Sequence, residues 1–315
     1  MRNPTEIKNL KYPKRFKKTE RGIALVTTLL ITAILTALTV EFIYRVYIGA
    51  ARAEIFKDTQ RAGVLAQDGV MIAKSGLEEL IKVKPAFTME ENGLAFSRSV
   101  GDGAIIEIRA FDELSKASIM VVFPATGLSN KNAGETYSRL LRLLGLDERL
   151  KDTLADWIDK DSEISPFGAE AADYSSLAKP YTPKNNMLES TEEMLMIKGY
   201  TPEVFKKLAP FVTPYTEGLV NVNTAGKTVL MSLSDDIPEG LAERVIEYRG
   251  KTPFKERSEI LKVPGFETIG FSLQDKITAR TNTFRVFAKA RVNGVERGVE
   301  AVIQAGGGIL YWREM

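Results

Sequence analysis

Residues 23–40 read IALVTTLLITAILTALTV, eighteen consecutive residues without a charge. A helix needs roughly 20 apolar residues to cross a bilayer, so this stretch constrains the fold more than any other part of the chain. Its five threonines (Thr27, Thr28, Thr32, Thr36, Thr39) can bond their hydroxyls to preceding helical carbonyls and so do not oppose insertion. Residues 1–22 hold eight basic and two acidic side chains, whereas residues 23–315 hold 35 basic and 39 acidic. The basic flank predicts a cytoplasmic N-terminus, with everything after Glu41 outside. A secretory signal would continue into small residues at a cleavage site. Here EFIYRVY follows, and the segment is expected to be retained.

With 315 residues the chain is long enough for more than one core. It contains no His and no Cys. That excludes a Ser-His-Asp enzyme, a thiol protease and a structural zinc site, and leaves oxygen-liganded cations as the ions to consider. Without Cys there is no disulfide, and so no redox clue to compartment. Carboxylate pairs such as Asp156 with Glu170 are the raw material of glycoside hydrolysis, but no feature singles one out, and the chain is not expected to be an enzyme.

After the apolar run Leu65, Gly69, Ile72, Gly76 and Leu80 recur at steps of four and three, which predicts one narrow helical face with close approach at the glycines. A continuous helix over 23–83 is about 90 Å long at 1.5 Å per residue. Beyond Pro85, branched-rich runs at 104–109 and 118–123 read as strands. So do 283–290 and 296–304, joined by an Asn293-Gly294 turn, and a last run at 309–312. Between these groups the pattern is helical, at 137–158, 192–197 and 202–208, with Thr201-Pro202-Glu203 as a helix start.

The basic leader, Glu20-Arg21-Gly22 directly before an apolar run, and the long amphipathic helix together resemble the type IV pilin class. The resemblance implies cleavage between Gly22 and Ile23 by a prepilin peptidase, with Ile23 as an N-methylated new terminus. Thr27 stands where most members carry Glu at the fifth mature position. That departure resembles the minor pseudopilin K family of type II secretion systems. So do Asp156-Trp157-Ile158-Asp159 with Asp161, Gly168-Ala169-Glu170 with Tyr174, and Asn221-Val222-Asn223-Thr224-Ala225. The family implies an α+β fold, a long N-terminal transmembrane helix packed on an antiparallel sheet with a large all-α insertion between strands. The domains expected are a leader (1–22), the transmembrane and amphipathic helix (23–83), the sheet (84–126 and 281–315) and two helical subdomains (127–215 and 216–280). The implied role is a single-pass inner-membrane subunit at the tip of a periplasmic pseudopilus. Its implied partners are minor pseudopilins I and J, the major pseudopilin and the peptidase.

Two constellations carry chemistry. Counting from Asp159, carboxylates fall at positions one, three, five and twelve (Asp159, Asp161, Glu163, Glu170), the spacing of a twelve-residue Ca²⁺ loop. Ile164 replaces the usual sixth-position Gly and no clear helix follows, so the expectation is a Ca²⁺ loop outside the EF-hand type, with Asp156 and Asp173 as further candidates. Relatives of pseudopilin K resemble it in binding calcium within this insertion. The second constellation, Asn221-Val222-Asn223-Thr224-Ala225 through Val263-Pro264-Gly265-Phe266, resembles the tandem helix-hairpin-helix module of extracellular DNA-binding proteins. Its first hairpin would carry Asp235, Asp236 and Glu239, which repel phosphate. Arg244, Arg249, Lys251, Lys255 and Arg257 offer a basic face for such binding. No nucleic acid is expected, and a membrane-anchored DNA-binding protein is the alternative.

Overall fold

The computed structural model describes residues 18–89, 93–101 and 103–315. Residues 1–17, most of the expected leader, lie outside the described residues. The chain forms two compact units, one ending at Asp58 and one spanning Thr59–Met315. Helix α1 (Lys18–Val83) contributes to both.

In the first unit α1 carries the uncharged run. Among the described residues it is the one helix long and apolar enough to span a membrane. Its large apolar side chains from Ile23 through Phe56 are exposed, except for the half-buried Ile48. Each of the five threonine hydroxyls bonds a carbonyl three or four residues earlier, so the run presents no unsatisfied polar group sideways.

The second unit is built on a five-stranded antiparallel sheet of order β1-β2-β7-β8-β9. Its strands are β1 (Leu94–Gly101), β2 (Ala104–Asp112), β7 (Thr283–Val292), β8 (Val295–Gln304) and β9 (Ile309–Glu314). Alternation puts Ile106, Ile108, Ala110, Val286, Ala288 and Ala290 on one face, where they pack against Ala66, Val70, Ala73 and Leu77 of α1. Of the four helix side chains, Val70 and Leu77 contribute about 1.5–3 kcal/mol each by burial, and the two alanines less. The buried stripe differs from the expected one. Gly69 meets Ala288 and Ile106, but Gly76 faces open space and Ile72 is half exposed. Small alanines, rather than the larger Leu and Ile, let the helix lie close. Strand β1 was not foreseen: it is an edge strand whose residues after Leu94 are all exposed, so it shows no alternation.

Between β2 and β7 the chain leaves the sheet and builds two helical cores. The first joins β3 (Ala117–Ser118), α2 (Lys131–Leu143), α3 (Leu150–Ile158), α4 (Ala171–Ser175), α5 (Pro202–Leu208) and β4 (Val212–Thr213) around Tyr137, Leu141, Leu154, Trp157, Tyr174 and Met194. The second comprises β5 (Val220–Asn221), α6 (Lys227–Ser232), α7 (Glu239–Lys251), α8 (Ile269–Ser272) and β6 (Ile277–Thr278), packed on Val229, Val245, Phe254 and Phe266.

Three local expectations are corrected. Of 118–123 only Ser118 is in a strand, paired with β4 outside the main sheet, because Ile119, Val121 and Val122 are drawn into the first helical core. The stretch 137–158 is two helices, broken where Gly145 adopts φ +65°. Residues 191–196 form a 3₁₀ rather than an α-helix.

Candidate functional site

Helix α3 brings Asp156 and Asp159 to its C-terminal end, where helical carbonyls already concentrate negative charge. Trp157 fixes that end, edge-on to Tyr174 at 5.2 Å. At the other end the Tyr200 hydroxyl donates to the Leu150 carbonyl at 2.8 Å. The chain then loops through residues 160–169 and returns Glu170 as the N-cap of α4. A short helix therefore does follow the loop, contrary to the sequence expectation.

Asp159, Asp161 and Glu170 converge, each offering one oxygen within 4.8 Å of the others. Asp159 and Glu170 are buried, 8% and 5% exposed. Asp159 Oδ1 and Glu170 Oε1 are buried without a hydrogen-bond partner. Burial, joined by the neighbouring charges of Asp161, Asp156 and Glu170, pushes the Asp159 carboxyl up to about 7. Burial and like charge also raise Glu170 and Asp156.

An uncompensated buried carboxylate is costly, and two orphaned acceptor oxygens converging with a third carboxylate are what a hard cation satisfies. Oxygens on opposite sides of a Ca²⁺ ion lie roughly 4.6–5.2 Å apart, twice the ligand distance, so the 4.8 Å cluster accommodates one. Asp159, Asp161 and Glu170 are the residues that would hold it.

The other candidates are placed differently. Glu163 is exposed and does not join the three; its backbone N–H donates to Asp161 Oδ1 at 2.9 Å. Asp173 pairs with Lys198 at 2.7 Å and accepts from the Glu170 N–H. Asp156 is fully buried and accepts from the Ser165 N–H at 3.2 Å. Gly168 is required beside it, since a Cβ there would stand 1.8 Å from Asp156 Oδ2.

Gly22 and Ile23 lie in the first turns of α1 and are exposed. The Thr27 hydroxyl bonds the Ala24 and Ile23 carbonyls at 2.9 and 3.1 Å, so it is spent within its own helix.

The two hairpins of the second core are also committed internally. Asp235 accepts from Arg139 Nε at 2.8 Å and Arg142 Nη1 at 3.0 Å, docking the first hairpin on α2. In the second, Gly265 adopts φ +96° and its N–H donates to the Glu267 carboxylate at 2.9 Å, where a phosphate would otherwise bind. Arg244 caps the Pro264 carbonyl and Lys251 pairs with Glu247.

Sequence reasoning missed a second charged group. Glu113, Arg285, Glu300 and Arg313 form a continuous chain of ion pairs, with Glu113 and Glu300 buried, and Thr213 donates to Glu113. No spacing in the sequence relates residues so far apart.

Residues 114–217 and 220–280 match two family models, each described as type II secretion system (T2SS), protein K. Type II secretion system protein K of Pseudomonas aeruginosa is 27% identical over 265 residues, covering 78% of this chain and 77% of that protein. The protein of the same name from Aeromonas hydrophila is 27% identical over 192 residues, covering 55% and 56%. A solved chain of the GspK-GspI-GspJ complex from enterotoxigenic Escherichia coli aligns with a TM-score of 0.69 at 17% identity. It covers 84% of this chain and 99% of that one, a shared fold.

Proposed function

We propose that this chain, which belongs to the type II secretion system protein K family, is a minor pseudopilin that initiates and caps a periplasmic pseudopilus used to export folded proteins across the outer membrane. Its partners in this reading are minor pseudopilins I and J, consistent with the complex in which the similar fold was solved, then the major pseudopilin, and a prepilin peptidase acting at Gly22. It waits in the inner membrane with its N-terminus cytoplasmic.

The observation that carries the reading is the apolar surface of α1 between Ile23 and Phe56, exposed but for the half-buried Ile48 and Ala51, together with Thr27 at the position of the usual Glu. Packing in a filament of like helices, or in lipid before assembly, covers such a surface. A carboxylate there would serve the N-terminal ammonium of a subunit above, and a tip subunit has none. The helical insertion leaves and re-enters the sheet at one end, Asp112 opposite Phe284, and its bulk at that end favours termination of stacking. N-terminal sequencing of the membrane-extracted protein tests the reading. A methylated Ile23 terminus is expected, and a full-length chain starting at Met1 overturns it.

Within this role Asp159, Asp161 and Glu170 hold Ca²⁺, which neutralises the loop and ties α3 to α4. The two orphaned buried oxygens support it. Calcium titrated into the full chain in detergent should raise Tm, since binding to the native state stabilises it; no shift at millimolar calcium refutes the site.

A further inference from the structure

Between the end of β2 and the second helical core lies a cleft of 710 Å³, lined among others by Phe111, Thr224, Lys227, Glu243, Ile246 and Arg249. Neither the metal site nor the exposed helix uses it. Its charges are not equivalent. Lys227 is neutralised by Glu239 and Glu243. Asp112, at the cleft floor, is satisfied by neutral donors: the Asn221 amide at 2.8 Å, the Thr224 hydroxyl at 2.5 Å and the Leu114 N–H at 2.8 Å.

Arg249 is the exception. Its Nη1 donates to the Val222 and Ala225 carbonyls at 2.8 and 2.7 Å. Among the described residues it has no carboxylate partner, and its Nε and Nη2 have no acceptor. Those two groups form the flat side-on edge of the guanidinium, the edge that takes both oxygens of a carboxylate in parallel bonds. Fixing Nη1 on two main-chain carbonyls holds that edge in place before any ligand arrives, which lowers the ordering cost of binding.

We infer that this cleft binds a small organic carboxylate, the two oxygens pairing with Nε and Nη2 of Arg249 and the adjoining apolar group lying against Phe111 and Ile246. The volume is far larger than one small anion requires and falls in the range of roughly 300–1,000 Å³ typical of sites for larger ligands. Burial lowers the guanidinium only to about 10, so it is charged at neutral pH. The inference is independent of the calcium site and of the filament role.

Calorimetry on the full chain in detergent, with N-acetyl-phenylalanine as probe, tests it. N-acetyl-phenylalaninamide and inorganic phosphate serve as comparisons. The acid should bind saturably and at least tenfold more tightly than either. Arg249→Gln should abolish binding. Because that change also removes the Nη1 latch, Gly250→Asp provides a second variant: a Cβ at Gly250 meets open space, and the new carboxylate places a negative charge on the cleft wall. It should weaken the probe tenfold or more with an unchanged Tm. Absent binding, equal binding of the amide, phosphate binding as tight as the acid, or full binding by a folded R249Q or G250D would each overturn the inference.

Discussion

Asp159 shows how one residue registers the cost of its surroundings. Its carboxyl titrates at about 7 in the folded protein against a usual 3.8, so between those values the native state holds a proton the unfolded chain has lost. Metal-free stability therefore rises as pH falls from 7 toward 4, and is lowest above 7. Thermal melts in EGTA across that range should show Tm climbing on acidification; a flat profile would mean the carboxyl is not perturbed. Asp159→Asn removes the buried charge. In EGTA at pH 7.5 the variant should melt above the parent, while losing the calcium-induced rise, which for the parent is about 2.7 kcal/mol at a hundredfold excess over Kd. Thr27 is the opposite case, a polar residue whose cost is already met by its own helix.

At the scale of elements, the two glycines on α1 that look equivalent in sequence are not. A Cβ on Gly69 would stand 2.9 Å from that of Ala288 and 3.3 Å from Ile106 Cγ2, whereas one on Gly76 meets nothing within 4 Å. Gly69→Ala should push the helix off the sheet and cost about 1–3 kcal/mol. Gly76→Ala should stabilise by roughly 0.5–1 kcal/mol, the helix-propensity gain alone. Urea denaturation of the two variants side by side measures both, and equal effects would contradict the packing described here. The loop between α3 and α4 is likewise set by one contact, Gly168 against Asp156.

At the scale of the whole molecule, the second unit joins its sheet to its insertion through the ion pairs of Arg285 on β7, Glu300 on β8 and Arg313 on β9 with Glu113 and Glu192. A buried pair adds little against an apolar replacement of both partners, but losing one partner strands the other. Arg285→Leu takes one cation from each carboxylate, while Glu113 keeps Lys116 at 3.1 Å and Glu300 keeps Arg313, so the change should destabilise by about 1–3 kcal/mol; no measurable loss by urea titration would show the network to be dispensable. The proposed assembly role has its own test. Thr27→Glu adds a carboxylate that a tip subunit cannot pair, so pseudopili per cell, counted by electron microscopy, should fall. An unchanged count would argue against the tip position.

The sequence by itself determined whatever depends on neighbours along the chain. The uncharged run, the alternation of β2 and β7, the Asn293-Gly294 turn and the Pro202 helix start are all local, and all lie where the residue pattern places them. Of the four carboxylates picked out by their spacing from Asp159, Asp159, Asp161 and Glu170 converge. Tertiary structure alone decided the rest. It left Glu163 in solvent and set Gly69 but not Gly76 against the sheet. It also recruited Ile119, Val121 and Val122 into a helical core despite their strand-like pattern, and assembled the Arg285 network and the Arg249 cleft from chain-distant parts. The physical reason is that periodicity reports which side of an element faces the interior, whereas the distance between two charges far apart in sequence depends on how every intervening element packs.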